Sequence, residues 1–234
     1  MQEQIFKTTE YCIDRLVDLE TAHLEKEYYY ASMPLCVVDS VFSIGVRYEG
    51  VTNTVEHLCE YYQIGQRAKR KATIPKVEDQ ISTTDFLKLF GDTPVQRLAE
   101  YAYNNRQRTS VKNGILKADA VIRFLSVLKD FGVEYYQDIP KIAINSSFEF
   151  CIKNIPGQGS GISLKYFLML SGNDKLIKPD RMIIRFLQDA TNAKFNLLQC
   201  EKLLVDVTLE LNKRGYKITP KLLDRLIWNY QRIQ

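Results

Sequence analysis

The stretch from Ser146 to Asp189 constrains this chain more than any other, because it sets two apolar helical segments back to back across a very tight turn. It reads SSFEFCIKNIPGQGSGISLKYFLMLSGNDKLIKPDRMIIRFLQD. The pattern is a helix, a hairpin turn at Ile155-Pro156-Gly157-Gln158-Gly159, a second helix, and a loop delivering Lys178-Pro179-Asp180. Glycine permits the positive φ that such a reversal demands, and lets backbone N–H groups approach an anion with no Cβ between them. The helix that follows adds its N-terminal dipole to the same anion site. A single carboxylate, Asp180, then emerges from a proline-stiffened loop ahead of another helix, Arg181–Asp189.

This order of elements resembles the signature of the helix-hairpin-helix (HhH-GPD) DNA glycosylase superfamily, the endonuclease III, adenine glycosylase and alkyladenine glycosylase relatives. The family pattern is L-P-G-x-G, a helix, a Gly/Pro-containing loop and an aspartate. Here Ile155 replaces the leading Leu, Pro156, Gly157 and Gly159 match, and Asp180 takes the aspartate position. The resemblance implies an all-α, two-lobed fold, with the middle of the chain (about 45–145) as one lobe. The N-terminus and residues from about 146 to 234, hairpin included, would form the other. It also implies double-stranded DNA as partner and hydrolysis of the N-glycosidic bond of an extruded base. That reaction develops oxocarbenium charge on the sugar, which one fixed carboxylate can stabilise while it orients or deprotonates a water. Asp180 is the catalytic candidate, and the same residue type serves equally as a helix N-cap. Relatives that also nick the abasic strand carry a lysine on the helix after the hairpin. That position is Gly161 here, so Schiff-base chemistry is not offered there and a monofunctional enzyme is implied. Gln158, polar where relatives are usually apolar, either adds a phosphate contact or sits exposed.

Two further segments are candidates for the same interface. The break Gly45-Val46-Arg47-Tyr48-Glu49-Gly50 lies where the family's minor-groove loop sits. Arg47 by hydrogen bonding or Tyr48 by stacking can fill a vacated base stack, and both can equally be surface residues. The stretch IGQRAKRKATIPKVEDQ holds Arg67, Lys69, Arg70, Lys71 and Lys76, the densest basic cluster in the chain. It reads as a phosphate-contacting loop that supplies affinity without sequence readout, against the alternative of a solvated charge run.

Bulk properties bound these readings. The 234 residues are 45% hydrophobic, enough to bury a sizeable core, and the net charge of +4 permits nucleic-acid binding without requiring it. No apolar run is long enough to span a bilayer and the first residues lack the order of a signal peptide, so a cytoplasmic protein and a monomer are expected. The cysteines, Cys12, Cys36, Cys59, Cys151 and Cys200, form no metal spacing, and only Cys200 follows Asp180. Neither an iron–sulfur cluster nor any other cofactor or metal is expected. His23 and His57 stand alone in polar helical contexts.

The remaining pattern is helical. Helices are predicted over 6–30, from Pro34 through an apolar run to Ile44, over 52–63, and as a pair within 83–103 split at Gly91-Asp92-Thr93-Pro94. Further helices follow at Lys117–Phe131, 196–213 and 220–232. Asp39, the one charge in the second helix, reads either as a pocket carboxylate with a raised pKa if desolvated or, the expectation adopted, as a residue on the solvated side with Ser43. The segment 104–110 reads as a polar turn. Two hypotheses stand: a monofunctional DNA glycosylase acting in base-excision repair or against modified viral DNA, and a non-catalytic helix-hairpin-helix DNA-binding or assembly module.

Overall fold

The computed structural model describes residues 1–23, 30–46, 48–66 and 74–234. Among them the regular structure is helical. The helices are α1 (Gln2–Arg15), α2 (Met33–Phe42), α3 (Tyr48–Tyr61), α4 (Thr83–Phe90), α5 (Val95–Arg97, continued by a π turn over Leu98–Ala102), α6 (Lys117–Asp130), α7 (Ser146–Lys153), α8 (Ile162–Leu170), α9 (Arg181–Thr191), α10 (Leu197–Lys213) and α11 (Pro220–Ile233). One isolated antiparallel bridge, Arg108 to Leu116, pinches the segment between α5 and α6 into a loop. Many helix starts are fixed by side chains that accept from the orphan N–H groups of the first turn: Ser82 from Asp85, Asn145 from Phe148, Asn196 from Gln199 and Thr219 from Leu222. Each such cap contributes about 0.5–2 kcal/mol.

The chain divides into a terminal unit, Met1–Leu24 with Asn173–Gln234, and a middle unit, Glu25–Gly172. This differs from the boundaries near 45 and 145 expected from the sequence: the hairpin lies in the middle unit, not with the termini. The reason is packing. Apolar α8 lies on α2, and its Phe167 meets Phe124 of α6 edge-to-face with centroids 5.2 Å apart. Phe148 of α7 makes a similar pair with Phe131 at 5.4 Å. Both helices of the hairpin are therefore rooted in middle-unit core, where each buried aromatic contributes roughly 2–3 kcal/mol.

Within the middle unit α2 is buried on every side, from Met33 to Phe42. That corrects the expectation for Asp39, which is 1% exposed and accepts a 2.7 Å hydrogen bond from the Tyr30 hydroxyl. A charge-bearing side chain can lie inside a helix covered all round only where a partner replaces water. The far end of α2 is held by a buried lysine from α6. The Lys117 ε-amine donates to the carbonyls of Phe42 (2.9 Å) and Ile44 (2.8 Å) and to Gln107 Oε1 (3.0 Å). It satisfies helix-end carbonyls that have no intrahelical donor, with charge of the sign the C-terminal dipole favours.

The terminal unit packs α1, α9, α10 and α11 around Cys12, Leu16, Ile183, Phe186, Leu203, Leu204, Val207 and Leu223. The helix predicted over 6–30 ends at Arg15. Leu16 is extended and Asp18 adopts φ 60°, a conformation that no continuing right-handed helix contains, and the turn carries both Leu16 and Leu19 into the core. Among the described residues no helix is long and apolar enough to cross a membrane, and no cluster of three or more His, Cys, Asp or Glu has metal-site geometry.

Candidate nucleic-acid interface

The hairpin forms because α7 and α8 must both reach the core while the residues between them stay few. α7 closes at Asn154, Ile155 turns inward (6% exposed), and Pro156 and Gly157 lie at the surface. The turn is stitched by Gln158 N–H to Ile155 O and Gly161 N–H to Gln158 O, each 2.9 Å. The N–H groups of Gly157, Gly159 and Ser160 find no acceptor among the described residues, and these three residues are exposed. Backbone donors that protein does not satisfy are left for solvent or ligand. Three such donors fall within four positions beside the start of α8, a combination able to receive an anion.

The glycines are not equivalent. Gly157 has φ +85°, and a Cβ there would lie 2.6 Å from Thr109 Oγ1. Gly161, the residue before α8, has φ +71°, and a Cβ there would lie 2.8 Å from Lys153 Cε. The first residue of α8 thus follows a left-handed position already covered by the Lys153 stem. A lysine at 161 would be strained by the positive φ, whereas the flexible end of Lys153 could move aside for it. The amine of Lys153 is itself paired with Glu149 at 2.5 Å. Gly159 has an ordinary φ, and its nearest prospective neighbour is a carbonyl 3.8 Å away. Glycine is needed there for no reason internal to the fold.

Gln158 departs from both sequence expectations. Its side chain is 2% exposed, and its Oε1 accepts a short hydrogen bond from the Ser163 hydroxyl. It ties the turn to the first turn of α8 and is neither a phosphate contact nor a surface residue. Thr109 is a residue that sequence reasoning missed. Its closeness to Gly157 sets the loop containing Arg106, Arg108 and Lys112, all exposed, against the hairpin. The loop is closed by the Arg108 to Leu116 bridge and by the Arg108 guanidinium donating to Gly114 O at 2.6 Å. Nothing in residue spacing pairs Thr109 with Gly157, which are far apart in sequence; the three cations in seven positions are the available signal. Arg47 and the basic stretch Arg67, Lys69, Arg70 and Lys71 lie outside the described residues, as does the side chain of Tyr48. Lys76 is exposed and 3.7 Å from Glu78.

Asp180 lies in the terminal unit as the N-cap of α9. Its Oδ1 accepts from Met182 N–H (2.8 Å) and Ile183 N–H (3.3 Å), and its own N–H donates to Lys178 O at 2.7 Å. These bonds fix the carboxylate at the positive end of a helix dipole, where negative charge is favoured. The loop that presents it is laced to α11 at two points. Lys178 N–H donates to Asp224 Oδ1 at 2.9 Å, and Lys221 engages Asp174 by its backbone N–H (3.1 Å) and its buried ammonium (3.2 Å). Asp224 is not visible as a site residue in sequence. Burial first, then the like charge of Asp180, pushes its carboxyl up to about 7, against the opposing pull of the Lys178 N–H and the Lys178 and Arg225 charges.

Residues 7–232 match the model of a family described as "Domain of unknown function (DUF8548)". The chain belongs to that family. No curated protein and no solved structure matches it. The DUF8548 chain thus brings to these two places a hairpin with unsatisfied N–H donors in its middle unit and, in its terminal unit, a helix-capping aspartate next in space to a second carboxyl group.

Proposed function

We propose that this DUF8548 chain is a monofunctional DNA glycosylase that extrudes a damaged or modified base from duplex DNA and hydrolyses its N-glycosidic bond. The observation that carries the reading is the hairpin at Gly157–Ser160, whose exposed N–H groups have no acceptor among the described residues and suit a phosphate. The loop that lies beside it at Thr109, with Arg108 and Lys112 exposed and Arg106 paired with Glu100, supports the same polyanion. Asp180 supplies the chemistry. A carboxylate preorganised by two helix N–H groups reaches the oxocarbenium-like transition state without reorganising, and can orient the attacking water. The glycine at left-handed position 161, which offers no amine, supports hydrolysis over amine chemistry. Base-excision repair and defence against modified viral DNA are the two settings in which such an activity serves.

One observation favours a second reading, a non-catalytic DNA-binding module: Asp180 Oδ1 carries both cap bonds, a complete structural role in itself. The deciding experiment screens duplexes with alkylated, oxidised, mismatched or hypermodified bases for abasic sites that break only on heat or alkali. Asp180→Asn keeps the cap acceptor, so it should fold and bind duplex while losing most base release. Full base release by this variant would refute the catalytic assignment. Efficient borohydride trapping of a covalent complex, through Lys153 or another amine, would refute the monofunctional one.

A further inference from the structure

The loop that presents Asp180 holds a second carboxyl group beside it. Lys178 engages both: its N–H donates to Asp224 Oδ1 on α11 at 2.9 Å, and its carbonyl accepts from the Asp180 N–H at 2.7 Å. The two aspartates are thus pinned through the backbone of one residue, where α9 packs against α11. Their carboxyl groups are held alike. Oδ1 of Asp180 takes both cap bonds and Oδ1 of Asp224 takes the Lys178 N–H, while the second oxygen of each accepts no hydrogen bond among the described residues. Both residues are partly buried and keep some access to solvent. The charges facing Asp224 come from three elements: Asp180 at the start of α9, Lys178 in the loop and Arg225 on α11. Lys221, one turn earlier on α11, is engaged with Asp174. Burial and the Asp180 charge outweigh the two cations, so Asp224 keeps its proton up to about pH 7, where an ordinary aspartic acid has lost it.

We propose that Asp224 is a second catalytic carboxyl group of this site, the general acid that hands a proton to the departing base. The inference rests on the glycosylase reading and deepens it. Two carboxyl groups side by side in opposite protonation states suit a reaction that expels a leaving group and forms a sugar cation. The C1′–N electron pair leaves with the base, which takes the Asp224 proton, while Asp180 stays ionised and faces the oxocarbenium charge. Water then adds to C1′ through its oxygen and returns one proton to the Asp224 carboxylate. Both groups end as they began, and water has been split between the free base and the sugar. Such a donor serves a definite substrate class, uncharged bases, which leave poorly as anions. A base already cationic through ring alkylation departs neutral and needs no proton.

That difference supplies the test. Single-turnover base release is measured from pH 5.5 to 9 for wild type, Asp224→Asn and Asp180→Asn. One duplex series carries uncharged oxidised, mismatched or hypermodified bases, and the other carries cationic N7-methylguanine. For an uncharged base the wild-type rate should fall as pH rises above about 7. Asp224→Asn, which keeps an acceptor for the Lys178 N–H, should lose that pH dependence and about 10²–10³-fold in rate below it. On N7-methylguanine it should stay within about threefold of wild type, whereas Asp180→Asn should lose release of both. Equal losses on the two series would make Asp224 a support for the loop and overturn the inference. So would an unaltered rate and profile in Asp224→Asn, or wild-type release of N7-methylguanine alone; each leaves Asp180 and the glycosylase reading standing. No release from any duplex would fell that reading and this inference with it. A carboxyl-carbon NMR titration of the free chain reads the proton itself, and an Asp224 signal fully ionised by pH 5 would overturn the inference whatever the substrate.

Discussion

Replacing Asp224 with asparagine isolates the most perturbed titratable group beside Asp180. The amide is isosteric, keeps an oxygen to accept the Lys178 N–H, and is neutral at every pH. In the native chain the carboxyl titrates near 7, against 3.8 for the unperturbed group, because burial and the Asp180 charge both disfavour its ionised form. The folded protein therefore holds this proton more tightly than the unfolded chain does. Stability from this group is fully present below about pH 4 and is lost progressively as pH rises to 7, the reverse of an ordinary salt-bridged aspartate. At 1.36 kcal/mol per unit the full difference approaches about 4 kcal/mol, and partial access of Asp224 to solvent reduces it to roughly 2–4 kcal/mol. Urea and thermal denaturation of wild type and Asp224→Asn between pH 4.5 and pH 8.5 should show near-equal stability at the acid end. The variant should become the more stable form at the alkaline end, by roughly 4–16 °C in Tm. Parallel profiles with a constant offset would refute the argument, because a purely steric or hydrogen-bond effect does not titrate.

Other perturbations separate fold from function. Gly157→Ala meets both a positive φ and Thr109, and should destabilise the middle unit by about 2–4 kcal/mol in urea denaturation. Gly159→Ala has neither problem, so it should change stability by less than about 0.5 kcal/mol while weakening duplex binding of any sequence, read by anisotropy. Lys117→Met leaves the Phe42 and Ile44 carbonyls without their donor and should cost about 2–4 kcal/mol by the same denaturation assay. Neutralising Arg67, Lys69, Arg70 and Lys71 together should flatten the salt dependence of duplex affinity by roughly 0.9 in slope for each phosphate no longer neutralised, and an unaltered slope would make that stretch a solvated loop.

What is legible in the sequence follows the range of the forces involved. Helix α6, with its apolar residues at 120, 121, 124, 125 and 128, and the caps at Thr219 and Asp180 depend on neighbours a turn away, and can be read directly. The turn at Ile155–Gly159 is legible for the same reason. Asp39 defeats the sequence pattern because its side of α2 is covered by elements distant in sequence, and its partner Tyr30 sits across a helix start. Gln158 does so because only the approach of Ser163 makes an inward amide tolerable. Thr109 and Asp224 carry no local signature, since each acquires its role from a backbone that folding delivers to it. The family match adds membership in DUF8548 but no chemistry, so the functional reading rests on the hairpin and on Asp180.

The pairing of α1 with α10 has a consequence for synthesis. Roughly 180 residues separate the two helices, so α1 emerges from the ribosome long before its partner exists, about 10–40 s at ordinary elongation rates. The middle unit, residues 25–172, can be complete by then. Through that interval the nascent chain displays the inner side of α1 to the cell. Its fully buried positions, Thr8, Thr9 and Cys12, are small and only weakly apolar, and Ile5 and Tyr11 beside them are the groups left open to a wrong neighbour until α9 and α10 arrive.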